Sequence, residues 1–119
     1  MFNDAKGLKR IYLAVGYTDL RSGIEGLASI VKLQFQLDPY EKGVLFLFCG
    51  RRGDRIKGLL WEGDGFLLLY KRLQSGSFSW PRSEREALAI TRQQYRMLMN
   101  GLQIVPRHPI RECRPWELL

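Results

Sequence analysis

The run Val44-Leu45-Phe46-Leu47-Phe48-Cys49, its sequel Gly50-Arg51-Arg52-Gly53-Asp54-Arg55-Ile56-Lys57-Gly58-Leu59-Leu60-Trp61-Glu62, and Gly63-Asp64-Gly65-Phe66-Leu67-Leu68-Leu69-Tyr70-Lys71-Arg72-Leu73 decide the fold. Six consecutive apolar residues leave no polar face, so residues 44–49 read as a central strand buried on both sides, with residues 50–54 as its turn. Asp-Gly between two apolar runs is a strong hairpin signal and pairs residues 55–62 with 66–73. Whichever residues occupy the turn centre, Leu59, Trp61, Phe66, Leu68 and Tyr70 share one face, and Ile56, Leu60, Leu67, Leu69 and Leu73 share the other. Ser75-Gly76 then turns into a short strand over 77–80, closed by Pro81, which completes a four-stranded meander. Two apolar faces require two covers.

Upstream, residues 10–17 alternate, with Ile11, Leu13, Val15 and Tyr17 on one side of a half-buried strand. Leu20, Ile24, Leu27, Ala28, Val31 and Phe35 follow at helical spacing and predict a long helix over 20–36, with Ser22 and Glu25 at capping-box distance and Asp38-Pro39 as its stop. Downstream, Ser83-Glu84-Arg85-Glu86 and Thr91-Arg92-Gln93-Gln94 both have capping-box spacing. Only the second leads into a clear helical stripe, Tyr95, Leu98, Met99 and Leu102, with Gly101 as a stop. The first suits a strand or loop equally well, so core packing is favoured over a helix-turn-helix. The expected fold is α+β: an antiparallel four-stranded meander with an N-terminal strand, one long packed helix and a C-terminal helix. Residues 1–104 form one domain, and 105–119 a Pro/Arg-rich tail.

At 119 residues the chain suits a single domain that needs no metal or disulfide staple. Its longest apolar runs fall far short of the roughly 20 residues that span a bilayer, and residues 1–6 lack the pattern of a secretory signal. A cytoplasmic location with no membrane partner is therefore expected. Cys49 and Cys113 form neither a disulfide framework nor a zinc spacing, and His108 is the single histidine. The glycines match no phosphate-loop pattern. Glu62 and Asp64 bracket a hairpin turn while Asp19, Asp38 and Asp54 each sit in a cap or turn, so no carboxylates are expected to converge for catalysis. No enzyme activity, cofactor or metal is expected.

Charge is the more informative property. The net +7 is uneven: residues 1–50 carry +1 and residues 51–119 carry +6, with arginine outnumbering lysine 13 to 6. A guanidinium grips phosphate bidentately where lysine offers a point charge, which favours a polyanionic partner. Arg51, Arg52, Arg55, Lys57, Lys71 and Arg72 all fall at the end of the meander opposite Gly63-Asp64-Gly65; one hairpin register sets Arg55 directly against Arg72, and the other sets Lys57 there. These six are the candidate nucleic-acid-binding residues. Like charges in opposition destabilise a sheet unless an anion lies between them. Tyr70, Trp61, Phe78 and Trp80 lie nearby and could stack on unpaired bases, but their alternation with apolar residues assigns them to the core first.

The stretch from Leu45 to Phe66, running into Leu69-Tyr70-Lys71-Arg72-Leu73 and Phe78-Ser79-Trp80-Pro81, resembles the TnpB accessory proteins of insertion sequence 66 family elements, as does Val15-Gly16-Tyr17-Thr18-Asp19-Leu20-Arg21-Ser22-Gly23-Ile24-Glu25-Gly26-Leu27. The likeness covers about residues 8–104. It implies a bacterial mobile-element protein encoded beside a separate transposase and needed for efficient transposition, with no established chemistry of its own. The RNA-guided nuclease that shares the TnpB name is unrelated. Family members often carry a third basic residue where this chain has Gly53, and the likeness transfers no binding residues. Two readings of function follow: an accessory protein that contacts DNA through its arginines, or an adaptor that docks onto the transposase or another protein of the element without binding DNA.

Overall fold

The computed structural model describes residues 7–83 and 86–104. Five strands form one mixed sheet: β1 (Arg10–Ala14), β2 (Val44–Cys49), β3 (Arg55–Trp61), β4 (Phe66–Arg72) and β5 (Ala87–Ile90), in the order β4-β3-β2-β1-β5. β2, β3 and β4 are successive antiparallel neighbours, as the meander predicts. β1 runs parallel to β2, and β5 closes the other edge antiparallel to β1. The class is α+β, but the four-stranded antiparallel meander is not what forms.

The difference has two causes. A strand, a helix and a second strand in succession can return the chain to run parallel beside its start, and the N-terminal strand therefore enters the sheet rather than covering it. Residues 77–80 are irregular and pack beneath the sheet. Gly76 takes φ +79° and redirects the chain, the Phe78 amide bonds to the Gly53 carbonyl at 2.7 Å, and the Trp80 indole donates to the Ala14 carbonyl at 2.9 Å. Both aromatic rings are buried. The fifth strand comes instead from Ala87–Ile90.

The faces expected for the hairpin hold, with Leu59 opposite Leu68 and Trp61 opposite Phe66, and of the two registers the one that sets Arg55 opposite Arg72 forms. One sheet face holds Ala14, Val44, Phe46, Phe48 and Leu59 against Leu27 of helix α1 (Ile24–Ser29) and Val31 of the π-helical turn that follows it, with Phe66 and Leu68 at its margin. The opposite face holds Ile11, Leu13, Leu45, Leu47, Ile56 and Leu60 against Phe78, Trp80 and the Tyr95 and Leu98 of helix α2 (Arg92–Met99). α2 has the predicted capping box, in which the Thr91 hydroxyl accepts from the Gln94 amide and the Gln94 side chain accepts from the Thr91 amide. With a strand immediately before it and its apolar stripe in the core, α2 is a packing helix.

The first helix is shorter than its hydrophobic spacing. It begins at Ile24 and loosens into a π-helical turn over Ile30–Gln34, ending where Gln36 adopts φ +56°. Gly23 is the cap residue, with no side-chain cap, so the Ser22 and Glu25 box does not form. The carbonyls of Leu20 and Ser22 accept instead from the Lys57 ammonium, which holds residues 20–22 as a loop. β1 likewise stops at Ala14, because Gly16 takes φ +88° and turns the chain before Tyr17. No helix among the described residues is long and apolar enough to cross a membrane. The tail beyond residue 104 and the Ser83–Glu86 cap lie wholly or partly outside the described residues.

Candidate functional site

Parallel pairing of β1 and β2 puts both carboxyl ends at one edge of the sheet, where open α/β sheets commonly receive ligands. Two loops leave from there. The first, residues 15–22, is tied down where the Thr18 amide donates to the Cys49 carbonyl at 2.9 Å. The second is the β2–β3 turn, closed by the Gly53 amide on the Gly50 carbonyl at 3.0 Å, with Gly53 at φ +76°. Gly53 is buried in that turn and Arg51 and Arg52 at its corner are exposed. A glycine suits this position because side chains rarely adopt its backbone conformation.

Between the loops lies a cleft of about 920 Å³ lined by Tyr17, Thr18, Asp19, Leu20, Arg21, Gly50, Arg51, Arg52, Arg55, Lys57 and Tyr70. Five of these side chains are cationic against a single carboxylate, Asp19. Arg55 and Lys57 continue the helix-side face of β3 past Leu59, so the strand period itself points them into the cleft. Four candidate residues, Arg51, Arg52, Arg55 and Lys57, thus meet in one concavity. Arg72 shares the sheet face of Arg55 but does not line the cleft, and Lys71 opposes Ile56 on the other face.

The cations differ in how they are held. Arg55 donates to both Asp54 oxygens at 2.9 and 3.3 Å, and this bonding lowers the Asp54 carboxyl and raises the Arg55 guanidinium from their ordinary pKa values. Arg21 chelates Asp19, with contacts down to 2.7 Å, and those hydrogen bonds bring the Asp19 carboxyl down to about 2. Lys57 is committed to the two loop carbonyls and stands 6.0 Å from the Tyr70 ring centroid. Arg51 and Arg52 have no carboxylate within ion-pair distance among the described residues.

Several cleft residues escaped the sequence. Alternation predicts Tyr17 on a strand and helical spacing predicts Arg21 in a helix, yet both stand on the loop that parallel pairing creates. The Tyr17 ring carries the Arg82 guanidinium 3.9 Å from its centroid and that of Arg51 at 5.8 Å. Arg82 gave no signal, being 30 positions from the turn it joins. Tyr70, for which the sequence favours the core over base stacking, is 53% exposed. A strand-helix-strand order at this spacing was the one available clue to the parallel pair, and through it to the cleft. Cys49, at the end of β2, is buried, and its thiol is pushed up to about 11. No group of three or more metal-ligating side chains occurs among the described residues.

Residues 9–109 match the family described as IS66 Orf2 like protein. The chain is 40% identical over 106 residues to the uncharacterized protein y4hO of Sinorhizobium fredii, covering 89% of this chain and 90% of that one. It is 34% identical over 113 residues to the uncharacterized protein y4jC of the same organism, covering 93% and 95%. No solved structure matches. A match across most of the chain, together with two relatives covered nearly end to end, shows that this protein belongs to the IS66 Orf2-like family, whose role is accessory to transposition.

Proposed function

We propose that this chain is a non-catalytic accessory factor that contacts DNA through the cleft at the carboxyl ends of β1 and β2. The observation that carries the reading is the convergence of Arg21, Arg51, Arg52, Arg55 and Lys57 on one concavity with Asp19 as its only carboxylate. Cations so gathered repel one another, and a phosphate chain relieves that repulsion while releasing the counterions condensed on it. Arginine predominates, and its planar fork suits phosphate oxygens.

A protein adaptor is the second reading, favoured by a different surface. Tyr40 is 55% exposed at the far end of the sheet, its ring 5.1 Å from Trp61 and 5.2 Å from Phe66, and Leu33 stands 73% exposed. Aromatic side chains are enriched in protein interfaces.

Salt separates the two. Binding of the intact chain to labelled DNA, duplex and single-stranded, followed as ionic strength rises, is expected to weaken steeply and linearly on a log-log plot. Absence of DNA binding at low salt, with capture of transposase that is indifferent to salt and nuclease, would replace the first reading by the second.

A further inference from the structure

We propose that the cleft receives an unpaired stretch of DNA, with a base stacked on Tyr70 and the adjoining phosphate held by Arg51 and Arg52. This inference rests on the DNA-contact reading and names which form of DNA the site takes. A duplex is a convex rod with its bases already stacked inside, so it can use a ridge of cations but has no use for aromatic rings on the walls of a concavity. An unpaired strand uses both, through an electropositive groove along its backbone and rings on which successive bases stack.

Three observations point that way. Tyr70 stands among the leucines of β4, yet its ring is half exposed, lines the cleft and faces the Lys57 ammonium. The opposite wall carries Tyr17 with the Arg51 and Arg82 guanidinium groups over its ring, planar surfaces of the kind against which bases pack. Thr18, another cleft residue, is only 4% exposed, and its hydroxyl has no hydrogen-bond partner among the described residues. A buried hydroxyl left unsatisfied is unfavourable, and a shift of the 15–22 loop that brings a phosphate or base edge to it would supply the missing partner. The volume, about 920 Å³, falls within the roughly 300 to 1,000 Å³ of pockets that enclose small organic groups, so a base with its phosphate fits.

The test compares a labelled single-stranded oligonucleotide with the matched blunt duplex, using the parent chain, Tyr70→Thr and Tyr70→Phe. Threonine suits an edge strand and phenylalanine keeps the ring, so both variants are expected to melt as the parent does. Tyr70→Thr should weaken single-strand binding by about 5- to 150-fold, the loss of one stacked base, and leave duplex binding unchanged. Tyr70→Phe should bind both forms as the parent does. Parental single-strand affinity in Tyr70→Thr, or equal loss on both forms, would overturn the stacking role. Salt-sensitive duplex binding by the parent, stronger than its single-strand binding, would overturn this inference and leave the DNA-contact reading standing. Failure to bind either form would overturn both.

Discussion

Arg55 and Arg72 stand directly opposite each other across β3 and β4, and the carboxylate that meets the Arg55 charge is not across the sheet but beside it, on Asp54. Among the described residues, the pairing of like charges is therefore compensated on one side only. Asp54 acts as a built-in competitor for any phosphate that Arg55 could bind.

Asp54→Asn should consequently tighten DNA binding. Removing the internal carboxylate frees the Arg55 fork, and at low salt the affinity is expected to rise roughly two- to fivefold, a gain that shrinks as salt screens the cleft. Isothermal titration of parent and variant checks this. Weaker binding by the variant would mean that Asp54 holds Arg55 in its binding geometry.

Leu27 of α1 and Val31 of the π-helical turn after it are fully buried against the sheet. Leu27→Asp or Val31→Asp buries an unpaired charge, which costs several kcal/mol against a total stability of about 5 to 15 kcal/mol, so neither variant should give a cooperative thermal melt. A soluble, sharply melting Val31→Asp protein would show that the helix does not close the core.

Thr91 satisfies the Gln94 amide at the start of α2. Thr91→Ala removes that bond and should lower stability by about 1 kcal/mol, read as a small fall in denaturation midpoint with an unchanged slope. DNA binding should not change, because α2 packs on the face away from the cleft.

The Cys49 thiol is pushed up to about 11 by burial, above its ordinary value of 9.0. Here the neutral form is the one favoured by folding. The folded chain keeps its proton where the unfolded chain loses it, so this group's contribution is constant below pH 9 and is lost as pH rises from about 9 toward 11. In a Cys113→Ser background, a thiol reagent at pH 8 should leave Cys49 unmodified until denaturant is added, and rapid labelling of the folded chain would contradict its burial.

How far the sequence led depends on whether a feature is local. The β2–β3–β4 hairpins, the parity of Leu59 with Leu68 and the Thr91 cap are set by neighbouring residues, and each is legible from periodicity and turn chemistry, whereas the choice between Arg55 and Lys57 opposite Arg72 depends on the turn register. The position of β1 is not local. Its pairing partner lies more than 30 residues away, and alternation alone does not distinguish a covering strand from a central one. Residues 77–80 alternate like a strand, but Phe78 and Trp80 gain more by burial under the sheet than at its edge. The cleft inherits this division. Arg51, Arg52, Arg55 and Lys57 follow from the hairpin, whereas Tyr17, Thr18 and Arg21 reach it only because β1 is parallel to β2.

Whether the arginine-rich end of the sheet binds DNA is read from duplex and single-strand affinity at two salt concentrations for the chain with Arg51, Arg52, Arg55 and Arg72 all changed to Gln, beside a thermal melt. Glutamine keeps a long polar stem while removing charge, so the variant should melt at or slightly above the parent as the opposition of Arg55 and Arg72 is relieved. Binding should be lost at moderate salt, and the log-log salt slope should flatten by up to roughly 0.9 for each phosphate contact removed. A variant that melts normally and binds both forms of DNA as tightly as the parent, with the same salt slope, would contradict DNA binding at this end of the sheet.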